Sequence, residues 1–232
     1  MHYPHRKLVL ADEFDNRILC TMPSEIINKF EDVLLEGEWY FLGNFAVTDR
    51  LPHPSISSNN CHIRLNEDTI TEKTDPKSSR EIYSFCAYID ILLALIQTDR
   101  YLVDVLGIVT FVQKLQSGVH MSDTSDRPTE RPLIRFVLED LDGNSLKCIA
   151  WDNLATKFEE LWTNRDKSSR HSIVLRFFSF NRWRDEWIVE SERFISDILE
   201  DPPTPEVAIA KMRLETAVDF TPLDDEYEEQ FP

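Results

Sequence analysis

The chain has 232 residues, enough for one large or two small domains, and 42% of them are hydrophobic, which suffices for packed cores. Its formal net charge of −17 argues against nucleic-acid binding, because contacts to phosphates need a basic surface. Residues 200–232 alone carry ten acidic and two basic side chains, so the argument is weaker for the rest of the chain.

The cysteines are scattered along the chain and include no C-x-x-C pair; they are Cys20, Cys61, Cys86 and Cys148. This spacing argues against a structural zinc site and a disulfide framework, and it fits a reducing compartment. We expect no signal peptide and no membrane span, since the longest apolar run, residues 89–96, contains Asp90 and is far too short to cross a bilayer.

The first part of the chain alternates between predicted strands and polar segments. Residues 8–31 are predicted to form a strand, a hairpin, a second strand and a short helix. Strands are predicted over 39–47 and, more weakly, over 61–71, and the charged residues 72–81 are a candidate linker. Residues 83–97 are densely apolar, which predicts a helix or a strand packed at a domain junction.

The second part opens with a predicted strand over 101–112, in which Gly107 indicates a bend or bulge. Residues 116–131 are predicted to be a long polar loop. Branched and aromatic residues then predict strands over 134–139 and 146–151.

An Asp-Gly pair at 142–143 supplies the backbone freedom for a tight hairpin between these two strands. Asp152 follows as a predicted N-cap whose carboxylate accepts from free backbone N–H groups. Leu154, Phe158 and Leu161 fall at i, i+4 and i+7, which predicts one buried face of a helix. The stretch is therefore strand, hairpin, strand, helix.

Two more strands, over 172–181 and 187–194, are predicted after this helix, with a turn over 182–186. Five strands with a helix after the third is the layout of the OB fold, a five-stranded Greek-key barrel. The chain is therefore predicted to be mainly β with short helices.

The strand, hairpin, strand, helix unit occurs twice. An offset of 128 positions aligns Cys20 with Cys148 and, without a gap, the run 29–31 with the run 157–159, both Lys-Phe-Glu. A period this long indicates a domain duplication, since solenoid repeats are much shorter. The alternative is that two unrelated hairpin-helix units look alike by chance, and the shared triplet makes this the weaker interpretation.

We therefore predict tandem OB-fold domains over residues 1–98 and 99–199. The first domain lacks its first strand, because residues 1–6 are too short and contain a proline. A helical extension over 200–218 and an acidic disordered tail over 219–232 follow.

The motifs LVDVLGIV, FVLEDLDGNSLKCIAWDNLATKFEE and VLRFFSFNRWRDEWIVES resemble the large, 70 kDa-type subunit of replication protein A, in particular its plant-type and transposon-borne relatives. The resemblance covers residues 1–215. It implies single-stranded DNA binding with little sequence preference, a role in DNA replication, repair and recombination, and a nuclear location. It also implies other replication protein A subunits or repair proteins as partners.

This family stacks bases on two aromatic side chains per domain, and the resemblance assigns that role to Trp151 and Trp183. In the first domain the residue aligned with Trp151 is Pro23, so the resemblance implies DNA contact for the second domain and leaves it open for the first.

The residues themselves favour the same two tryptophans. By alternation Trp151 shares a face with Lys147, which favours a groove-facing ring over a half-buried core tryptophan. Trp183 lies between Arg182 and Arg184 at a predicted turn, where an aromatic ring has little reason to be core. Such a ring can stack on a base while the guanidinium groups meet phosphates.

Arg135 and Arg176 lie in predicted strands. Each either lines the groove or faces solvent, and the sequence favours neither alternative.

No motif of a catalytic, metal or cofactor site is present in the sequence. We therefore expect a non-enzymatic protein without cofactor, small-molecule substrate or membrane partner, which binds single-stranded DNA. The alternative is an OB-fold protein-interaction module that has lost DNA binding, which the acidic charge and Pro23 favour.

Overall fold

The computed structural model describes residues 6–14, 16–49, 61–78, 83–93, 95, 102–122, 125–166, 170–183, 185–193, 195–216 and 231. The chain divides into two compact units, Met1–Tyr83 with Asp99–Tyr101, and Ser84–Thr98 with Leu102–Pro232. Within the described ranges, no helix has both the length and the apolar character needed to cross a bilayer.

The described part of the first unit is built of short strands and a short helix. Its elements are β1 (Arg6–Ala11), β2 (Arg17–Met22), a 3₁₀ turn (Ser24–Ile26), α1 (Ile27–Phe30), β3 (Tyr40–Gly43), β4 (Ala46–Asp49), β5 (Cys61–Arg64) and β6 (Ile70–Lys73). One sheet has the order β1-β2-β5-β4, in which β2 and β5 are parallel. A separate two-stranded sheet pairs β3 with β6. Among the described residues, no strand connects β4 back to β1.

The strand predicted over 39–47 is divided into β3 and β4, which belong to different sheets. Asn44, between them, has a φ of 58°, a left-handed conformation that ends a strand and that asparagine tolerates. The strand predicted over 61–71 is likewise divided, because the side chains of Asn66 and Thr69 bind backbone groups of a turn between β5 and β6. Local side-chain hydrogen bonds of this kind compete with a continuous ladder.

The second unit contains the longer strands. Its elements are α2 (Tyr88–Leu92), β7 (Val103–Val112), β8 (Gln116–Ser122), β9 (Ser125–Glu139), β10 (Ser145–Trp151), α3 (Asn153–Asn164), β11 (Ser172–Trp183), β12 (Glu186–Ser191), β13 (Asp197–Glu200) and α4 (Pro205–Thr216). The pairings β7–β9, β9–β10, β10–β12, β12–β11 and β11–β7 close a ring, with β10 and β12 parallel. With α3 between its third and fourth strands, this closed ring is the five-stranded barrel of an OB fold.

The barrel core is apolar and continuous with one face of α3. Alternate residues of β9 and β10 point inward, among them Phe136 and Cys148, and Phe158 of α3 packs its ring 4.4 Å from that of Phe136, centroid to centroid. Leu154 and Leu161 pack against the same core, so the predicted helix face is confirmed.

The internal repeat extends to individual hydrogen bonds. In the first copy, Asp12 Oδ1 accepts from the backbone N–H of Phe14 and of Asn16, and Oδ2 accepts from the Asn16 side-chain amide. In the second copy, Asp140 accepts in the same way from residues 142 and 144, which lie 128 positions further on. An Asx-type turn therefore closes the same hairpin in both units.

Residues 84–98 belong to the second unit, although the first domain was predicted to extend to residue 98. Tyr88 and Ile91 of α2 are buried in the barrel core, and burial raises the pKa of the Tyr88 phenol well above its usual value. The buried carboxylate of Asp104 on β7 accepts hydrogen bonds from the backbone N–H groups of Ser84 (2.9 Å) and Phe177 (3.1 Å). These contacts fix the segment before α2 to the barrel.

The prediction of a polar loop over 116–131 is wrong. Most of these residues lie in β8 and the first half of β9, which pair antiparallel from Gln116 opposite Leu133 to Ser122 opposite Ser125. Such a ribbon need not show the alternation of polar and apolar residues that marks a half-buried strand.

The chain after the barrel contains β13, which pairs with β11, and α4, which falls within the predicted helical extension. Of the predicted tail over 219–232, only Phe231 lies among the described residues.

Candidate nucleic-acid interface

The outer face of β9 and β10 brings several predicted site residues together. Because Phe136, Cys148 and their alternate neighbours fill the core, the residues between them point outward. The register places Trp151 opposite Leu133, and the next outward pair is Ile149 opposite Arg135. Lys147 is the following outward residue of β10, so Trp151, Lys147 and Arg135 occupy one face.

The two predicted stacking residues share an apolar floor on this face. Leu133, Ile149 and Ile188 are buried outside the barrel core, and Trp151 and Trp183 pack against them as half-buried rings. The floor spans β9, β10 and β12, and Trp183 ends β11 beside it. Tertiary pairing therefore brings together two tryptophans that are 32 positions apart in the sequence.

The orientation of the Trp151 ring is set by polar groups around it. Its indole Nε1 donates to Glu190 Oε2 at 3.1 Å, and its backbone N–H donates to Ser191 Oγ at 2.9 Å. The Arg131 guanidinium carbon lies 5.7 Å from the ring centroid. A ring held in this way loses little conformational freedom when a base stacks on it.

Gly118 on β8 lets the ribbon approach this floor. A Cβ atom at Gly118 would overlap Leu133 Cδ2 and lie 3.3 Å from Trp151 Cζ3. Because Gly118 has no side chain, the ribbon can lie directly against Leu133 and Trp151.

We expect Gly118→Ala to displace Leu133 and Trp151, at a cost to stability of about 1–3 kcal/mol from overpacking. Intrinsic tryptophan fluorescence should shift in the folded protein, and thermal melting should report the loss. Ser117→Ala, at the neighbouring position, is the control. A Gly118→Ala protein with unchanged fluorescence and melting would contradict this account of the ribbon.

Asp152 has a different role from the predicted one. It does occupy the position before α3, but its side chain makes no cap hydrogen bond, and its φ of 55° is left-handed. Its carboxylate instead pairs with Arg131, whose Nε donates to Oδ1 at 2.7 Å, and lies 3.6 Å from Arg193 Nε. The Asp152 carboxylate therefore holds Arg131 and Arg193 in place, and Arg131 lies beside Trp151.

Most basic residues of this face have an acidic or amide partner. Lys147 forms an ion pair with Glu186, and Arg182 lies 3.1 Å from Asp185, measured from Nη2 to Oδ1. Arg135 donates to Gln116 Oε1 at 2.8 Å, and partial burial lowers the pKa of its guanidinium. The face is therefore nearly charge-compensated, in contrast to a strongly basic groove.

One predicted site residue, Arg176, is not part of this cluster. Arg176 lies in the half of β11 that pairs with β13, opposite Asp197, whereas Trp183 lies in the half that pairs with β12. Arg184 falls outside the described residues.

Sequence reasoning missed Glu186 and Glu190, the acidic residues of the face. Both alternate with Ile188 on β12, and that alternation was visible in the sequence. Only the parallel register of β12 on β10 places them beside Lys147 and Trp151. Within the described ranges, no group of three or more His, Cys, Asp or Glu side chains is arranged to hold a metal ion.

Comparison with known proteins agrees with this architecture. Residues 5–93 match the family model "Domain of unknown function DUF223". No curated protein matches the chain in sequence. The chain is similar to one chain of a replication protein A heterotrimer bound to single-stranded DNA, with 18% identity and a TM-score of 0.61 over 92% of this chain and 50% of that one. It thus spans half the length of that relative.

Two further solved structures are more distant. One is a murine DNA-binding protein bound to double-stranded DNA, with 12% identity and a TM-score of 0.42 over 88% of each chain. The other is an OB domain from Thermoplasma acidophilum, with 10% identity and a TM-score of 0.32 over 62% of this chain and 95% of that one. The strand order of the second unit and the similarity to the replication protein A chain identify this protein as a mainly β protein of tandem OB-fold domains, with the DUF223 match in its first part.

Proposed function

We propose that the chain is a single-stranded DNA-binding protein similar to the replication protein A large subunit, acting in DNA replication, repair and recombination in the nucleus. Its second unit stacks bases on Trp151 and Trp183, while basic side chains around them meet phosphates. The protein binds and does not catalyse, and its partners are single-stranded DNA and other replication protein A subunits or repair proteins.

The observation that carries the proposal is the pair of tryptophans on one apolar floor outside the closed barrel. The face made by the second and third strands is the surface with which OB folds bind oligonucleotides. Indole rings can stack on any base, because every base has a π-face, so binding of this kind tolerates many sequences. The resemblance of the sequence motifs and the replication protein A chain bound to single-stranded DNA support the same proposal.

The charges of the face set the expected strength of binding. Phosphate contacts by Lys147 and Arg182 must compete with Glu186 and Asp185. Few counterions would then be released, and the salt dependence should be shallow compared with that of a basic groove. We therefore expect binding dominated by stacking.

The second candidate function is an OB-fold module that binds another protein. The acidic partners on the face and the net charge of −17 favour it, because both oppose a polyanion. Anisotropy of a labelled short oligo-dT with the whole chain at two salt concentrations distinguishes the two functions. Absence of binding at the lower salt concentration would leave the interaction module as the better account.

Asp185→Asn should tighten oligo-dT binding by roughly two- to fivefold, since it removes one exposed negative charge and releases Arg182 to a phosphate. The substitution keeps the backbone intact, because asparagine tolerates the φ of 67° at this position. The slope of log affinity against log salt should steepen by about 0.7, because Arg182 then neutralises one additional phosphate.

Asp201→Asn is the matched control, since Asp201 also has a positive φ (49°) and is also ion-paired, to Lys211 at 2.5 Å, but lies after β13. Equal effects of Asp185→Asn and Asp201→Asn would attribute the change to net charge and not to the proposed interface.

A further inference from the structure

Phe231 is seated on the outer face of the second unit. Its ring is stacked on that of Phe111 with a centroid distance of 6.2 Å and an interplanar angle of 19°. The Lys147 ammonium lies 5.8 Å from the centroid of the same ring, and Phe231 is only 8% exposed. A residue 80 positions after Trp151 in the sequence therefore packs on the same surface as the predicted site.

The strand register shows where this ring lies. Val137 on β9 pairs with Phe111 on one side and with Lys147 on the other, so the three form one outward row across the barrel. Val137 is 0% exposed although it points away from the core, and Lys147 is 9% exposed although it carries a charge. Phe231 contacts the two outer members of this row, Phe111 and Lys147.

This row lies next to the apolar floor that carries Trp151 and Trp183. Lys147 and Trp151 are four residues apart on one strand, or about 13 Å at roughly 3.3 Å per residue. Glu186, the ion-pair partner of Lys147, lies opposite Trp183 in the register of β11 and β12. A strand of nucleic acid that reaches both tryptophans passes next to the row.

We infer that Phe111, Val137 and Lys147 form a third ring-binding position, which Phe231 fills in the free protein and a nucleic-acid base fills in the complex. The inference rests on the proposed function. A phenyl ring and a base have the same requirement here, an aromatic ring to stack on and a cation over the π-face. A nucleotide also carries a phosphate, which can pair with the Lys147 ammonium.

The charge of the sequence before Phe231 predicts that Phe231 and DNA compete for this position. Residues 219–230 carry six carboxylates and no basic side chain. These carboxylates directly precede Phe231 in the chain, so their charge opposes simultaneous binding of Phe231 and of a phosphate backbone at this position. Phe231 therefore acts as an intramolecular competitor of single-stranded DNA.

The test uses the whole chain and labelled oligo-dT. If Phe231 fills the position nine-tenths of the time, Phe231→Ala should lower the apparent Kd about tenfold, since only the unoccupied fraction binds. Phe231→Tyr keeps the ring and should behave like the wild type. Phe111→Ala should weaken binding of oligo-dT. In the Phe111→Ala protein, the further substitution Phe231→Ala should no longer change the apparent Kd.

A second measurement follows the ring directly. 4-Fluorophenylalanine at position 231 gives a single ¹⁹F resonance, which should move when oligo-dT is added and move in the same direction in the Phe111→Ala protein. Both shifts, together with tighter binding by Phe231→Ala, support the inference.

Two outcomes overturn it and are distinguishable. If oligo-dT binds in a Trp151- and Trp183-dependent way while the ¹⁹F resonance stays in place and Phe231→Ala leaves the Kd unchanged, the third position is refuted and the proposed function stands. If neither the wild type nor Phe231→Ala binds oligo-dT at low salt, the proposed function fails and the inference fails with it.

Discussion

Replacing Trp151 and Trp183 together by alanine should abolish measurable binding of a short oligo-dT. Each stacked base contributes about 1–3 kcal/mol by alanine substitution, so loss of both rings should weaken binding at least roughly thirtyfold. The remaining basic residues cannot compensate, because Lys147 and Arg182 already have acidic partners. Anisotropy with wild-type and doubly substituted whole chain measures the effect.

Controls separate stacking from folding. Trp151→Tyr/Trp183→Tyr keeps two aromatic faces and should retain much of the binding. Trp162→Ala removes an indole from α3, where the ring is covered by Arg165 with its guanidinium carbon 3.3 Å from the centroid, and should leave binding intact. Duplex DNA should bind poorly, because its bases are stacked on each other. Equal affinity of the wild type and the Trp151→Ala/Trp183→Ala protein would refute the interface.

Phe158→Ala should cost roughly 3–5 kcal/mol of the stability of the second unit, a large part of the free energy that holds a domain folded. Phe158 is fully buried and packs on Phe136. Its counterpart at the offset of 128 is Phe30, which is also buried, in the core of the first unit. The chain thus supplies a matched pair of substitutions.

Calorimetry of the whole chain should show two transitions. Phe158→Ala should lower the one that belongs to the second unit, and Phe30→Ala the other. The first unit should melt at the lower temperature, because the described part of its sheet has open edges at β1 and β4, whereas the second barrel is closed. Phe30→Ala should preserve oligo-dT binding at temperatures where the second unit is folded. A first unit that melts above the second would contradict this assignment.

Structural features that depend on short-range interactions could be predicted from the sequence. The hairpin of the second copy was predicted from its Asp-Gly pair, and that of the first copy from the repeat. The buried face of α3 was predicted because helical periodicity is a property of one segment. The five-strand order with a helix after the third strand then pointed to the OB fold, which the closed ring of the second unit confirms.

Errors arose where a long-range partner decides the conformation. The polar segment over 116–131 forms a ribbon because it pairs with itself, and its composition gives no signal of that pairing. Asp152 has the sequence of a helix cap, but its carboxylate lies against Arg131 and Arg193 instead. Tyr88 lies before the second domain in sequence, yet its ring fills that domain's core.

The candidate site likewise has features that the sequence predicts and features that depend on contacts between distant segments. The sequence by itself determined the repeat and the five barrel strands of the second unit, because residue type and spacing carry those signals. Together with the family resemblance it also predicted the two tryptophans as site residues. Only the tertiary structure decided that the tryptophans share one floor and that Glu186 and Glu190 line it. It alone placed Phe231 over Phe111 beside Lys147. The physical reason is that strand register and ring packing depend on the summed free energy of contacts between distant segments, which no local pattern encodes.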